Sequence, residues 1–306
     1  MPTSPRPSAS RSANAAPLAR IAVGVDGYPE GRDAAALGVM LARATGAELM
    51  LVAVHPDPLV VLPPELGWTA MHKQAEALLR ETRDALAPHA RIDVETDWSI
   101  PRALERVVAR EHRDLLVLGS SRRGAAGRVR IGSCTPQLLC HCGCALAVAP
   151  RGLSQRPARR LERIGVGYDG DPESRAALLL AGAIALAAGA KLVVRAVVDD
   201  RLPAVGWSAV NIETVQAMWD ELLEPQLASL REDTQAAVNA IGAEAEIQAL
   251  PGAPPDVLVE LGDEVDLLVI GSRRWGAVAR VLLGTTGEAL MHNVGCPIVV
   301  APRPGA

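Results

Sequence analysis

The sequence contains no phenylalanine, and aromatic residues make up only 2% of its 306 positions. Because aromatic side chains dominate the strongest contacts of large protein interfaces, their scarcity argues against a large assembly and favours a monomer or a homodimer. Long hydrophobic runs are also missing, since none approaches the roughly 18 residues that a membrane span requires. A net charge of −4 and 49% hydrophobic residues are typical of a soluble globular protein, for which we expect neither a nucleic-acid nor a membrane partner.

The first segment of the chain lacks acidic residues and the apolar core of a secretory signal, although it carries Arg6, Arg11 and Arg20. We predict a disordered tail over residues 1–19 and a cytoplasmic protein. An organellar transit peptide is the alternative, but the segment shows no amphipathic pattern.

The five cysteines form an odd number, and most of them are clustered. Four lie within "CTPQLLCHCGC", at Cys134, Cys140, Cys142 and Cys144. A zinc site usually needs two ligand pairs on separate elements, whereas this is one cluster with His141 beside it. Cys144 has a counterpart in Cys296, at the start of a similar strand, where a small buried thiol is ordinary core. We therefore favour packing over a metal or redox role.

An internal repeat organises the rest of the chain. Residues 20–54 align with 163–197, and a glycine-rich stretch at 119–134 aligns with 271–286. The repeat predicts two like domains, at 20–150 and 163–302, joined by an Arg- and Pro-containing linker at 151–162.

Each copy alternates short apolar runs with longer segments of helical periodicity. Runs such as "IAVGV" and "DLLVLG" predict strands buried on both faces, and Gly46 and Gly189 each end a helix as left-handed caps. Alternating strands and helices imply parallel pairing through right-handed crossovers. The predicted fold class is α/β, with two tandem open parallel-sheet sandwiches of about five strands each.

Polar and glycine residues follow the first and fourth strand of each copy. Such sheets bind ligands in the crevice at the carboxyl ends of their strands. Asp26 and Asp169 follow the first strands, and Gly119 and Gly271 end the fourth. A carboxylate there can accept hydrogen bonds from ribose or an adenine amino group, while a glycine loop before a helix suits phosphate. The alternative is that the aspartates only form turns.

Both halves resemble the universal stress protein family, over almost all of 20–150 and 163–302. The stretches "VGVDGYPEGRDAA" and "GSRRWGAVARVLLGTTGEALMHNVGCPIVVAPR" carry the resemblance. It implies an adenine-nucleotide alpha-hydrolase-like fold and a crevice for ATP or a related adenine nucleotide, with no metal beyond a nucleotide-associated Mg²⁺. The positions that match the family's nucleotide-binding pattern are Asp26, Val54, Gly119, Gly132 and Ser133 in the first copy, and Asp169, Val197, Gly271, Gly284 and Thr285 in the second.

The second glycine of the family pattern is replaced in both copies, by Arg122 and Arg274. Glycine permits positive φ and close backbone approach, so an arginine could obstruct a phosphate. It could instead grip the phosphate with its guanidinium, or point outward and pair with an acid. Gly124 and Gly276, two residues later, could close the turn in a shifted register.

Two functions follow, a nucleotide-sensing stress-response protein or an interaction module with degenerate glycine loops and an unknown protein client. We do not expect an enzyme, because no lysine follows the last glycine as a phosphate-loop NTPase requires. The second copy is the better nucleotide site, because its Gly252 and Pro254 resemble the family's Gly-x-Pro at the crevice rim.

The fifth strands, at about 144–149 and 296–301, are short, apolar and terminal. Exposed strand edges are normally covered, and two like domains can cover each other. We therefore predict an intrachain pseudo-dimer in which these strands face one another.

Overall fold

Ten strands and eight helices follow one another in the part of the chain that the structure describes. The structure is a computed structural model, and it describes residues 18–56, 67–157, 159–200, 212–272 and 285–302. The first half contains β1 (Arg20–Gly24), α1 (Pro29–Thr45), β2 (Glu48–His55), α2 (Trp68–Leu86), β3 (Arg91–Thr96), α3 (Ile100–Arg110), β4 (Leu115–Gly119), α4 (Cys134–His141) and β5 (Ala145–Ala149). The second half contains β6 (Arg163–Tyr168), α5 (Pro172–Ala188), β7 (Lys191–Val198), α6 (Ile212–Ile241), β8 (Ala245–Pro251), α7 (Pro254–Glu264), β9 (Leu267–Ile270), α8 (Thr285–Asn293) and β10 (Ile298–Val300).

All ten strands belong to one continuous sheet, in the order β3-β2-β1-β4-β5-β10-β9-β6-β7-β8. Pairing is parallel within each half, as alternating strands and helices require. At the centre β5 and β10 pair antiparallel, with Ile298 opposite Val148 and Val299 opposite Ala147. The predicted fold class and the facing fifth strands are confirmed. The fifth strands also form backbone hydrogen bonds with each other, so the two halves share one sheet.

Helices cover both faces of the sheet, so the strands are apolar on both sides. In β1, Ile21 and Val23 belong to the same core cluster as Leu37 of α1. The intervening residue, Ala22, packs in a second cluster with Leu104 of α3. The helix ends follow the sequence prediction, since Gly46 and Gly189 cap α1 and α5 in the left-handed region with φ of 73° and 63°.

The segment after β5 is held against the first half by a buried carboxylate. Asp33 of α1 is 1% exposed. Its two oxygens accept hydrogen bonds from the backbone N–H groups of Gly152 at 2.6 Å and Ser154 at 2.8 Å. A 3-10 turn at Leu153–Gln155 lies at this contact. The connection between the halves is therefore anchored where it leaves β5.

The glycine loop of the first half packs against the second half. Val129 is fully buried in a cluster made mostly of second-half residues. Its N–H donates to the Val294 carbonyl at 2.8 Å, and the N–H of Ile131 donates to Met291 at 3.2 Å. Arg128 donates to the Asn293 carbonyl at 2.7 Å. The loop after β4 is thus part of the contact between the halves.

Edge strand β3 is tied to α3 by a row of ion pairs. Asp97 pairs with Arg102 at 2.7 Å and also with Arg106, while Arg110 pairs with Asp93 at 2.5 Å. The hydrogen bond from Arg102, with help from a backbone N–H and Arg106, holds the pKa of Asp97 well below its usual value. Charged residues of this kind also guard a sheet edge against pairing with another chain.

Candidate functional site

A cavity of 340 Å³ lies at the carboxyl ends of the second-half strands. This volume is within the range of small-molecule sites. Its lining residues are Gly167, Tyr168, Asp169, Asp171, Glu173, Ser174, Val197, Asp199, Pro254, Leu258, Ile270, Gly271, Thr286, Gly287 and Leu290. The structure therefore brings together three of the residues that the sequence singled out, Asp169, Val197 and Gly271.

The other second-half candidates occupy different places. Gly252 follows β8 with φ of 148°, a value that favours glycine, and its N–H donates to the Val198 carbonyl at 3.0 Å. It thus closes the rim next to Pro254, which does line the cavity. Thr285 is the first residue of α8. Arg274 and Gly284 lie outside the described residues.

The two aspartates close the same local turn in each half. One carboxylate oxygen of Asp26 accepts a hydrogen bond from the N–H of Tyr28 at 3.2 Å. Asp169 accepts one from the N–H of Asp171 at the same distance. Since Asp169 also lines the cavity, turn formation and ligand contact do not exclude each other at this position.

Charges surround the first-half aspartate more closely than sequence reasoning suggested. Although Asp26 is exposed to solvent, neighbouring protein atoms desolvate its carboxylate and raise its pKa. Glu30 adds to this rise, whereas the Tyr28 N–H and Arg122 oppose it. The Arg122 guanidinium lies 3.9 Å from the centre of the Tyr28 ring, a cation–π contact. Arg122 thus stands beside the carboxylate.

Arg122 sits in an ordinary backbone conformation. Across the described part of the chain, the only non-glycine residue with positive φ is His112. The N–H of Gly124 donates to the Ser121 carbonyl at 2.9 Å and closes a turn around the arginine. Gly124 therefore closes the turn in the shifted register that the sequence allowed, and Arg122 adds no backbone strain there.

Gly119 and Gly271 have a packing role that sequence reasoning missed. A Cβ atom at Gly119 would overlap the carbonyl of Glu30, in the first turn of α1. A Cβ at Gly271 would lie 2.6 Å from the carbonyl oxygen of Glu173, in the first turn of α5. Only glycine lets the helix start approach the strand end this closely. The repeat carried the signal, because the two glutamates occupy equivalent positions of the two copies.

The remaining first-half candidates are less enclosed. Val54 is partly buried near the end of β2, and a Cβ at Gly132 would meet no atom within 4 Å. Helix α4 begins at Cys134, one residue after Ser133. Ser133 has helical φ and ψ of −66° and −24° and makes no side-chain cap. Several N–H groups of the preceding loop are already bonded, including Gly127 to the Arg151 carbonyl at 2.9 Å.

Exposed aromatic residues follow three strands of the first half. Tyr28, Trp68 and Trp98 are 47%, 45% and 55% exposed. Trp68 stacks on His72 with 4.8 Å between ring centres, and its indole N–H donates to Thr96 at 3.3 Å. The strand ends of the first half therefore present aromatic surface, a feature that no pattern in the sequence indicated.

Within residues 18–56, 67–157, 159–200, 212–272 and 285–302, no three His, Cys, Asp or Glu side chains are grouped so that they could hold a metal ion. Over the same ranges, every helix is too short or too polar to cross a membrane.

Fold and site together define a tandem α/β protein with a ligand-sized crevice at the carboxyl edge of the second half. The sequence model of the universal stress protein family matches residues 18–150 and 160–302. The chain belongs to the universal stress protein family.

Known proteins are similar to this chain along almost its whole length. Universal stress protein Rv2005c of Mycobacterium tuberculosis is 26% identical over 296 residues, which cover 92% of this chain and 96% of that protein. A crystal structure of a universal stress protein from Archaeoglobus fulgidus superimposes with a TM-score of 0.67 at 18% identity, covering 93% of this chain and 98% of that one. A functionally unknown protein from Pseudomonas aeruginosa, PA1789, gives a TM-score of 0.61 at 18% identity, with 93% of each chain covered. These solved structures support the fold.

Proposed function

We propose that the protein binds an adenine nucleotide in the second-half crevice and acts as a nucleotide-responsive binding protein. The observation that carries the proposal is the 340 Å³ cavity, in which Asp169, Val197 and Gly271 meet the first turn of α8. A helix start offers N–H groups and a positive dipole end to phosphate.

The cavity lining is divided into an apolar and a polar part. Val197, Leu258, Ile270 and Leu290 supply apolar surface suited to a base. We propose that Asp169, which lines the cavity, accepts hydrogen bonds from ribose hydroxyls or an amino group.

Further acids in the lining, Asp171, Glu173 and Asp199, would repel the phosphates of a free nucleotide. We therefore propose that the nucleotide enters as its Mg²⁺ complex, so that the metal offsets part of the negative charge. We expect the nucleotide to bind more weakly in excess EDTA than in excess Mg²⁺.

Calorimetric titration of the full chain with ATP and with AMP tests the proposal. Asp169→Asn should weaken binding by about tenfold, since a hydrogen bond to a charged group contributes about 1.5–3 kcal/mol. Asp26→Asn is the matched control, because it removes the equivalent turn-forming carboxylate from the first half. Absence of heat with both nucleotides, or an equal loss in the two variants, would refute the second-half site.

The second-half arginine has its own test. If Arg274 obstructs phosphate, Arg274→Gly should tighten ATP binding, and this is the outcome we expect. If it grips phosphate, the same change should weaken binding by about tenfold.

A second candidate function is favoured by the exposed aromatic residues of the first half. Tyr28, Trp68 and Trp98 could serve as anchors for a protein client, because aromatic residues dominate interface energies. A client crosslinked in cells should be lost with Trp68→Ser plus Trp98→Ser and retained with Asp169→Asn. The reverse pattern would assign client binding to the second half.

A further inference from the structure

Two cysteines of the first half lie within reach of each other. The Sγ atoms of Cys142 and Cys144 are 3.3 Å apart, and both cysteines are free. Cys142 caps the end of α4, immediately after His141, and its N–H donates to the Leu138 carbonyl at 2.7 Å. Cys144 immediately precedes β5. A disulfide requires the sulfurs to approach to about 2.05 Å, so the pair must close by a little more than 1 Å.

The residue between them permits this closure. Gly143 is exposed, and even an added Cβ would meet no atom within 4 Å. Its backbone dihedrals can therefore change without displacing a packed neighbour. Leu138 and Leu146, which flank the pair, are 1% exposed and hold the end of α4 and strand β5 in place.

The two thiols have different environments. Cys142 is partly exposed, whereas Cys144 is 8% exposed. The neighbouring Cys144 thiol lowers the pKa of Cys142 by hydrogen bonding, while that interaction and burial raise the pKa of Cys144. A partly exposed thiol of lowered pKa beside a buried second thiol is an arrangement suited to a redox-active pair.

The second half provides an internal comparison. At the equivalent positions it has Val294, Gly295 and Cys296, so the exposed partner is missing. Cys296 is buried at 5% exposure, and burial raises its pKa to about 12. The interpretation of a buried core thiol fits Cys296, which has Val294 two residues before it where Cys144 has Cys142.

We propose that Cys142 and Cys144 form a reversible intrachain disulfide when the protein meets a hydroperoxide. The Cys142 thiolate attacks the distal peroxide oxygen, the O–O bond breaks, and the leaving oxygen takes up a proton as water or alcohol. The resulting sulfenic acid is attacked by the Cys144 sulfur. The S–S bond forms as the S–O bond breaks, and the Cys144 proton leaves with the hydroxide as water. The peroxide is reduced by two electrons, and the two thiols are oxidised by two.

Thiol counting on the full chain tests the proposal. The reduced protein is treated with hydrogen peroxide, denatured, alkylated and digested, and the modified cysteines are identified by fragment-ion mass spectrometry. Of five cysteines, Cys142 and Cys144 should escape alkylation, and dithiothreitol should restore both. Cys140→Ser should behave like the wild type.

Two variants separate the steps. Cys142→Val, which copies the second half, should keep every remaining thiol alkylatable with an unchanged melting temperature. Cys144→Ala should stop at a sulfenic acid on Cys142 that dimedone labels. Full alkylation of the oxidised wild type, a bond that includes Cys140, or a disulfide between chains would overturn the proposal.

Discussion

Gly119 offers the sharpest test of how the strand ends are built. An alanine there would place its Cβ 2.7 Å from the Glu30 carbonyl carbon and 3.1 Å from the Glu30 Cβ, in addition to overlapping the carbonyl oxygen. Carbon atoms in contact normally lie about 3.5–4.0 Å apart. The first turn of α1 must therefore move by about 1 Å, and because the obstacle is backbone, no side-chain rotation relieves it.

The expected cost follows from that displacement. Overpacking a core costs typically 1–3 kcal/mol and occasionally more, and we place Gly119→Ala at about 3 kcal/mol. For a protein of this size, each kcal/mol lowers the melting temperature by about 2–4 °C, so we expect a drop of about 6–12 °C. Gly271→Ala should lower the stability less. The atom nearest to its new Cβ is the Glu173 carbonyl oxygen at 2.6 Å, a less severe overlap than the one with the Glu30 carbonyl oxygen at Gly119.

Thermal unfolding followed by circular dichroism measures both variants. Gly132→Ala is the matched control, because its new Cβ meets nothing within 4 Å and its φ is not positive. The control should melt within a few degrees of the wild type, on the higher side if the loss of unfolded-state entropy dominates. An unchanged melting temperature for Gly119→Ala, or an equal loss in the control, would refute the packing role.

Three further predictions concern the centre, the edge and the first crevice. Ile298→Ala, at the β5–β10 pair, should lower the free energy of unfolding measured in urea by about 2–5 kcal/mol. Leu222→Ala is the control, because Leu222 is 54% exposed, and it should lower that free energy by less than about 0.5 kcal/mol. Equal losses would contradict a buried centre. Asp97→Asn should be less stable than the wild type at pH 7. Because the folded pKa of Asp97 is depressed, this gap should shrink as pH falls below about 4, and a gap independent of pH would count against the ion pairs. Arg122→Met should raise the pKa of Asp26 in an NMR titration, since the guanidinium opposes the rise, and a lower pKa would show that the charge acts elsewhere.

Much of the fold could be predicted because local sequence patterns determine its helices and strands. The periodicities of strands and helices depend on residues close in sequence, and so do the capping glycines Gly46 and Gly189. The repeat then indicates that both halves have the same fold. The facing fifth strands followed from the need to cover an exposed edge. The bonding of Val129 and Ile131 to the second half could not be predicted, because it depends on how the two sheets join.

The candidate site was predicted in part. Asp169, Val197 and Gly271 meet at one cavity because each follows or ends a neighbouring strand, which a topology argument can anticipate. The packing role of Gly119 depends on how closely the first turn of α1 approaches it, and the repeat marks the two glutamates as equivalent without reporting that distance. The Cys142–Cys144 contact was also missed, since side-chain directions at the end of a helix are not encoded in a count of cysteines.

The antiparallel pairing of β5 with β10 places the proposed binding surfaces of the two halves at opposite edges of the sheet. Because all strands of one half run against those of the other, their carboxyl ends lie on opposite edges of the sheet. The crevice beside Asp169 and the aromatic surface around Trp68 and Trp98 therefore point away from each other. One small ligand cannot bridge them, and a partner bound at the aromatic edge leaves the opposite entrance open. Under the two proposed functions, a nucleotide in the crevice and a client at the aromatic edge would lie on opposite sides of the sheet and would not compete for one surface.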